Sequence, residues 1–151
     1  MLILKKQRIN MDRIKFISGF VFSLLVLNCT SHKEKPTFYR AINKTDTAYL
    51  KISKLDEQYF GSLEIHYGGA ALKDSGTVSG VFKKDTLKLI FHYLPHTGGE
   101  RKRKPLSLLQ KDNKLLMGKG HIITFMEIAQ FDTKTPIDYS HPEFVFEEVK
   151  K

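Results

Sequence analysis

The chain has 151 residues, with 25 Lys and Arg against 16 Asp and Glu, 41 % hydrophobic residues and one cysteine. That length makes one domain with one modest core, and the balance of hydrophobic and charged residues excludes both a disordered polar chain and a polytopic membrane protein. A single cysteine excludes an intramolecular disulfide framework and any thiolate-rich zinc or iron–sulfur site built within one chain.

The first 28 residues differ in composition from everything after them. Lys5, Lys6, Arg8, Arg13 and Lys15 lead into the weakly polar run Phe16-Ile17-Ser18-Gly19-Phe20-Val21-Phe22-Ser23-Leu24-Leu25-Val26-Leu27, a basic segment followed by an apolar one. Twelve helical residues rise about 18 Å, short of a hydrocarbon core of roughly 30 Å, so the pattern predicts a signal helix that is removed rather than a permanent span. Met11 opens an adequate basic segment of its own, which leaves Met1 and Met11 both as starts.

Val26-Leu27-Asn28-Cys29 closes the apolar run, and Cys29 is the chain's only cysteine. Here the pattern resembles a bacterial lipoprotein signal, in which the thiol receives a diacylglycerol, the signal is cut before the cysteine and the new amino terminus is acylated. Val26 and Asn28 depart from the usual Leu, small residue, then Gly, Ala or Ser. The alternatives are a cysteine discarded with a cleaved signal and an uncleaved anchor helix. Several acyl chains would hold a domain on a membrane firmly, whereas a single chain binds reversibly.

Thr30 to Thr37 is polar, contains Pro36 and lacks apolar periodicity, so residues 29–37 form the lipidated Cys29 and a tether, with a single β domain over 38–151. Removing residues 1–28 takes away five basic residues and Asp12, which leaves 20 basic and 15 acidic residues and lowers the net charge from +9 to +5. Much of the basic character is therefore export machinery, and a nucleic-acid partner loses its support.

From Asp46 on, turn signals recur every ten or so residues between short aromatic and aliphatic runs, the grammar of an antiparallel meander. Ala48, Leu50 and Ile52 alternate with Tyr49 and Lys51; Leu63, Ile65 and Tyr67 with Ser62, Glu64 and His66; Leu87, Leu89, Phe91 and Tyr93 with Lys88, Ile90 and His92. Turns are expected at Gly68-Gly69, Asp74-Ser75-Gly76 and Lys83-Lys84-Asp85, and a long loop from Pro95 to Pro105. Leu106 to Leu109, a long strand from Leu115 to Met126 and a last strand at Phe144-Val145-Phe146 follow. Phe125 to Phe131 has the only helical period, enough for one or two turns. Gly118 and Gly120, on one face of their strand, predict a bend or a close approach. The fold class is all-β: an up-and-down meander of seven or eight strands forming a small barrel or strongly coiled sheet, after the signal helix. Leu50, Ile52, Leu63, Ile65, Phe82, Leu89, Phe91 and Phe146 are its expected interior.

Tyr59-Phe60-Gly61-Ser62-Leu63, Asp74-Ser75-Gly76-Thr77-Val78-Ser79-Gly80, Lys84-Asp85-Thr86-Leu87 and Leu115-Leu116-Met117-Gly118-Lys119-Gly120 together resemble the small uncharacterised envelope lipoproteins of Bacteroidota, over most of residues 45 to 149. The resemblance implies export and a β fold and names no catalytic residue. The chain departs from that pattern at 96–105, where His96-Thr97-Gly98-Gly99-Glu100-Arg101-Lys102-Arg103-Lys104 replaces a Glu-Gly and Ser-Arg-Glu neighbourhood.

Arg101, Lys102, Arg103 and Lys104 are the densest charge on the mature domain, expected at an exposed loop tip. They fit an anionic surface such as lipid headgroups or an acidic glycan, or else a solvated hairpin end that deters edge pairing. His66, His92, His96 and His121 invite a metal, but His92 and His96 on a strand lie roughly 13 Å apart, and a site needs a cross-strand pair such as His66 opposite His92. No metal site and no cofactor are expected. The chain has no Gly-x-Ser-x-Gly elbow, no His-Glu-x-x-His and no phosphate loop. Asp74 and Asp85 read as turn residues rather than as a glycosidase pair.

These observations predict a monomeric envelope protein, anchored to a membrane, with the outer membrane as the expected destination. Its expected role is a non-catalytic binding or accessory module, whose partners beyond membrane lipid are an envelope protein, a glycan or a small apolar ligand. The alternative is a small hydrolase or metal-dependent enzyme on the same scaffold, marked by a polar pocket that gathers His66, His92 and a carboxylate.

Overall fold

The computed structural model describes residues 34–68 and 71–150. The expected signal segment and Cys29 lie outside the described residues. Those described form no α-helix and ten strands: β1 (Thr37–Asn43), β2 (Asp46–Leu55), β3 (Gln58–Tyr67), β4 (Leu72–Lys83), β5 (Thr86–Leu94), β6 (Lys102–Lys111), β7 (Lys114–Met117), β8 (Ile122–Phe125), β9 (Ile128–Phe131) and β10 (Phe144–Glu148). β1 to β7 and β10 make a closed antiparallel barrel in meander order, with β10 between β7 and β1, while β8 and β9 form a separate hairpin inserted before β10. Every barrel strand finds both neighbours within Thr37–Glu148, so closing the sheet requires no residue outside that span.

Period-two alternation dictates what lies inside. Ala48, Leu50 and Ile52 of β2, Leu63 and Ile65 of β3, Val78 of β4, Leu87, Leu89 and Phe91 of β5, Leu106 and Leu108 of β6, Leu115 and Met117 of β7, and Phe144 and Phe146 of β10 are all buried. Eight strands enclose a space that side chains of this size fill. Seven of the eight expected interior residues are in the buried core, and the eighth, Phe82, packs partly buried against it.

Two-residue turns join β1–β2, β2–β3, β4–β5 and β6–β7, which fixes each register. The turn between β6 and β7 uses Asp112 and Asn113, both at positive φ (50° and 60°), a conformation their short polar side chains tolerate. Tight coiling of the sheet shows at Gly80, where a β-carbon would overlap the carbonyl oxygen of Lys88 on the neighbouring strand. Only a residue without a side chain lets the two strands approach so closely.

Five local expectations are corrected. β4 runs unbroken from Leu72 to Lys83, so Asp74-Ser75-Gly76 is strand, not turn. The long strand expected from Leu115 to Met126 breaks after Met117, and Phe125 to Phe131 closes the β8–β9 hairpin instead of a helix. Its turn, Met126-Glu127, holds two ordinary residues at positive φ (48° and 63°). β6 begins at Lys102, which shortens the expected loop. β1 is a full strand, and Glu34, within the expected tether, already donates its backbone N–H to the carbonyl of Lys54 at 3.0 Å.

Candidate functional site

Two features stand out once the barrel is closed: a polar cluster in one mouth and a groove on the outer wall. The mouth is formed by the ends of β3 and β5, the start of β4 and β6, and the segment entering β10. Asp74, on the inward face of β4, is buried, with Oδ1 accepting from the His96 backbone N–H at 2.7 Å and lying 2.8 Å from His96 Nδ1. Its Oδ2 accepts from the Tyr67 hydroxyl at 2.9 Å, and the Tyr67 and His96 rings lie 4.9 Å apart. Burial alone would raise the Asp74 carboxyl, but the bonds from His96 and Tyr67 outweigh it and leave it below its ordinary value. Burial, the Asp74 bond and the surrounding negative charge push the Tyr67 phenol well up; burial and the Asp74 charge also raise Tyr93, which stacks on Phe91 at 4.6 Å. A buried carboxylate thus pins the loop after β5 to the barrel.

β7 is only four residues long, so toward this mouth β6 and β10 have no strand between them. Lys104 spans that gap to Glu143 at 3.5 Å, and the Asn43 side chain donates to the Glu143 carbonyl at 2.8 Å. Pro105 falls where β6 has lost its β7 partner, a place where a missing N–H costs no ladder bond.

The chain between β7 and β10 crosses back over the outside of β6. Gly118 donates to the Ser107 carbonyl at 2.9 Å, Lys119 and Asp138 exchange backbone bonds at 2.9 and 2.8 Å, and the Ser107 and Tyr139 hydroxyls meet at 2.6 Å. Ile137 and Tyr139 lie over Gly118 so closely that a β-carbon there would overlap both side chains. The paired glycines predict a bend or a close backbone approach; what comes close is instead the side chains of Ile137 and Tyr139 at Gly118 and of Phe131 at Gly120.

Between this excursion and the wall lies a groove of about 640 Å³, within the range of small-molecule sites. Its floor is the outward row Ser79, Ile90 and Pro105, in register across β4, β5 and β6, with Lys88 one row away beside Ser107. Its roof is β9 with Asp132, Thr133, Thr135 and Ile137. The opposite mouth holds a smaller cleft of about 190 Å³, lined by Tyr39, Tyr59 and Phe82, in which burial first and then the Glu148 charge raise the Tyr39 phenol.

The basic run is dispersed rather than gathered at a tip. Arg101 ends the loop, Lys102, Arg103 and Lys104 belong to β6, and Lys104 is committed to Glu143. His66 and His92 do not oppose each other: His66 pairs in register with Thr47 and Lys73, and His92 with Thr77 and Arg103, on strands separated by β4. His66 instead lies 3.2 Å from Glu64. Among the described residues no three His, Cys, Asp or Glu side chains gather to hold a metal ion, and no helix is long and apolar enough to cross a membrane. Sequence reasoning missed the Asp74–His96 pair, which a turn assignment for Asp74 hid. It missed the groove as well, whose lining comes from four separate stretches of chain.

Comparison of the chain with protein-family models, with curated proteins and with solved structures returns no match.

Proposed function

We propose that this chain is an envelope lipoprotein, held on a membrane through an acylated Cys29, and that it acts as a non-catalytic binding module whose binding surface is the outer groove. The observation that carries the binding half is the contrast between a barrel interior filled by Leu, Phe and Met side chains and a groove of about 640 Å³ left outside it. Anchoring is supported by the position of the only cysteine, immediately after a basic segment and twelve weakly polar residues. The resemblance to small Bacteroidota lipoproteins supports the same route, with the outer membrane as destination. Intact mass of the membrane-extracted protein tests the anchor. A chain starting at Cys29 with added acyl mass, lost together with detergent-phase partitioning in Cys29→Ala, is the expected result, and an unacylated product cut elsewhere contradicts it.

A second reading, a small hydrolase, is favoured by one observation. Asp74 engages His96 Nδ1 at 2.8 Å, which leaves Nε2 as the ring nitrogen available for proton transfer. Turnover of p-nitrophenyl acetate that disappears in His96→Gln while the fold persists would favour the enzyme; equal rates in both proteins favour the binding module.

A further inference from the structure

We infer that the outer groove takes a single-chain amphiphile with an anionic head group, its tail over Ile90 and Pro105 and its head at Lys88. The inference rests on the reading of the groove as the binding surface and adds the chemistry of what it holds. The groove's apolar lining includes Ile90 and Pro105 on the floor and Phe131 and Ile137 on the roof, and a volume of about 640 Å³ is of the size that holds one small molecule.

Charge supplies the rest of the argument. Lys88 is two residues from Ile90 on the same outward face, about 7 Å along the strand, and it lines the groove without an ion-pair partner among the described residues. Asp132, the groove's one acidic residue, is already committed: it accepts from the Lys134 backbone N–H at 2.9 Å and the Thr135 hydroxyl at 3.4 Å, and faces His121 at 3.6 Å. The groove therefore offers a cation without an ion-pair partner beside an apolar floor, and a carboxylate whose oxygens already accept hydrogen bonds. A carboxylate or phosphate head reaches Lys88 while the tail leaves water, and the neighbouring apolar surface strengthens the attraction by excluding solvent. A cationic head is repelled by Lys88 and finds the Asp132 oxygens already engaged, and a neutral one gains nothing from the Lys88 charge.

The test uses the chain from Thr30 to Lys151, which contains all ten strands, and calorimetric titration with dodecanoate below its micellar concentration. Dodecanol and dodecyltrimethylammonium are the comparison ligands. Dodecanoate is expected to bind, with affinity rising about fourfold per added methylene from decanoate. Lys88→Glu weakens it at least tenfold, Ala129→Phe, which fills the groove, abolishes it, and Lys111→Glu, an equal charge change elsewhere on the barrel, leaves it unchanged. Thermal unfolding of each variant confirms that the barrel persists. Equal binding of dodecanol, or no loss in Lys88→Glu, overturns the anionic class while a loss in Ala129→Phe keeps the groove as the binding surface. Binding that survives Ala129→Phe overturns the inference and the groove reading together, and no binding of any of the three amphiphiles overturns the inference alone.

Discussion

Asp74 accepts three hydrogen bonds, two from His96 in the β5–β6 loop and one from Tyr67 of β3, so Asp74→Ala removes a buried acceptor from the His96 N–H, the His96 ring and the Tyr67 hydroxyl at once. A bond to a charged group contributes about 1.5–3 kcal/mol, less where the freed donor regains water, and His96 is partly exposed. The three together amount to about 3 kcal/mol. A domain of about 115 residues has an unfolding entropy near 0.24 kcal/mol per kelvin, so the expected fall in Tm is about 12 °C. Asp74→Asn keeps an oxygen for His96 and loses only the charge and the Tyr67 geometry, about 1 kcal/mol. The pH dependence has a definite sign. The folded-state carboxyl is held below its ordinary value, so its contribution is complete above about pH 4 and drains as pH falls through the lower folded value. The stability gap between the wild type and Asp74→Asn therefore closes in acid. Urea denaturation at pH 7, 5 and 3 measures it. A loss under 1 kcal/mol in the alanine variant, or a gap unchanged between pH 7 and 3, refutes the reasoning.

Phe146 is fully buried between β7 and β1, and Phe146→Ala should cost about 3–5 kcal/mol in chemical denaturation. Gly80→Ala drives a β-carbon into the Lys88 carbonyl and should cost about 3 kcal/mol, with faster amide exchange along β4 and β5. Tyr139→Phe removes the bond to the buried Ser107 hydroxyl and should cost about 1 kcal/mol, with exchange accelerated first at Lys119 and Asp138. Glu127→Gly relieves a left-handed residue in the β8–β9 turn and should stabilise by about 1 kcal/mol, read as a rise in Tm of about 4 °C.

The barrel was legible because most of its strands bury one face and wet the other. Leu87, Leu89 and Phe91 against Lys88, Ile90 and His92 carry the period-two signal that marks a half-buried strand. β1 gives a weaker signal because two of its three outward residues, Phe38 and Ile42 on either side of Arg40, are as apolar as its inward Tyr39 and Ala41, which blurs the alternation. Asp74 was misread because Asp-Ser-Gly is turn chemistry on local grounds, and only the return of β5 brings His96 within reach of it. The run from Leu115 to Met126 looked continuous because nothing local records that Tyr139 and Ile137 must pass over Gly118. The groove has no local signature at all, since β4, β5, β6, β9 and the segment after it each supply a part. Local periodicity specifies strands; long-range pairing builds the site.

Methyl chemical shifts of the chain from Thr30 to Lys151, recorded with and without dodecanoate, test most directly that ligand binds on the outer wall and not in the barrel. The account predicts shifts at Ile90, Ile128, Ala129 and Ile137 and none at Leu63, Leu108 or Met117, which fill the interior. Shifts concentrated on the interior methyls would contradict it.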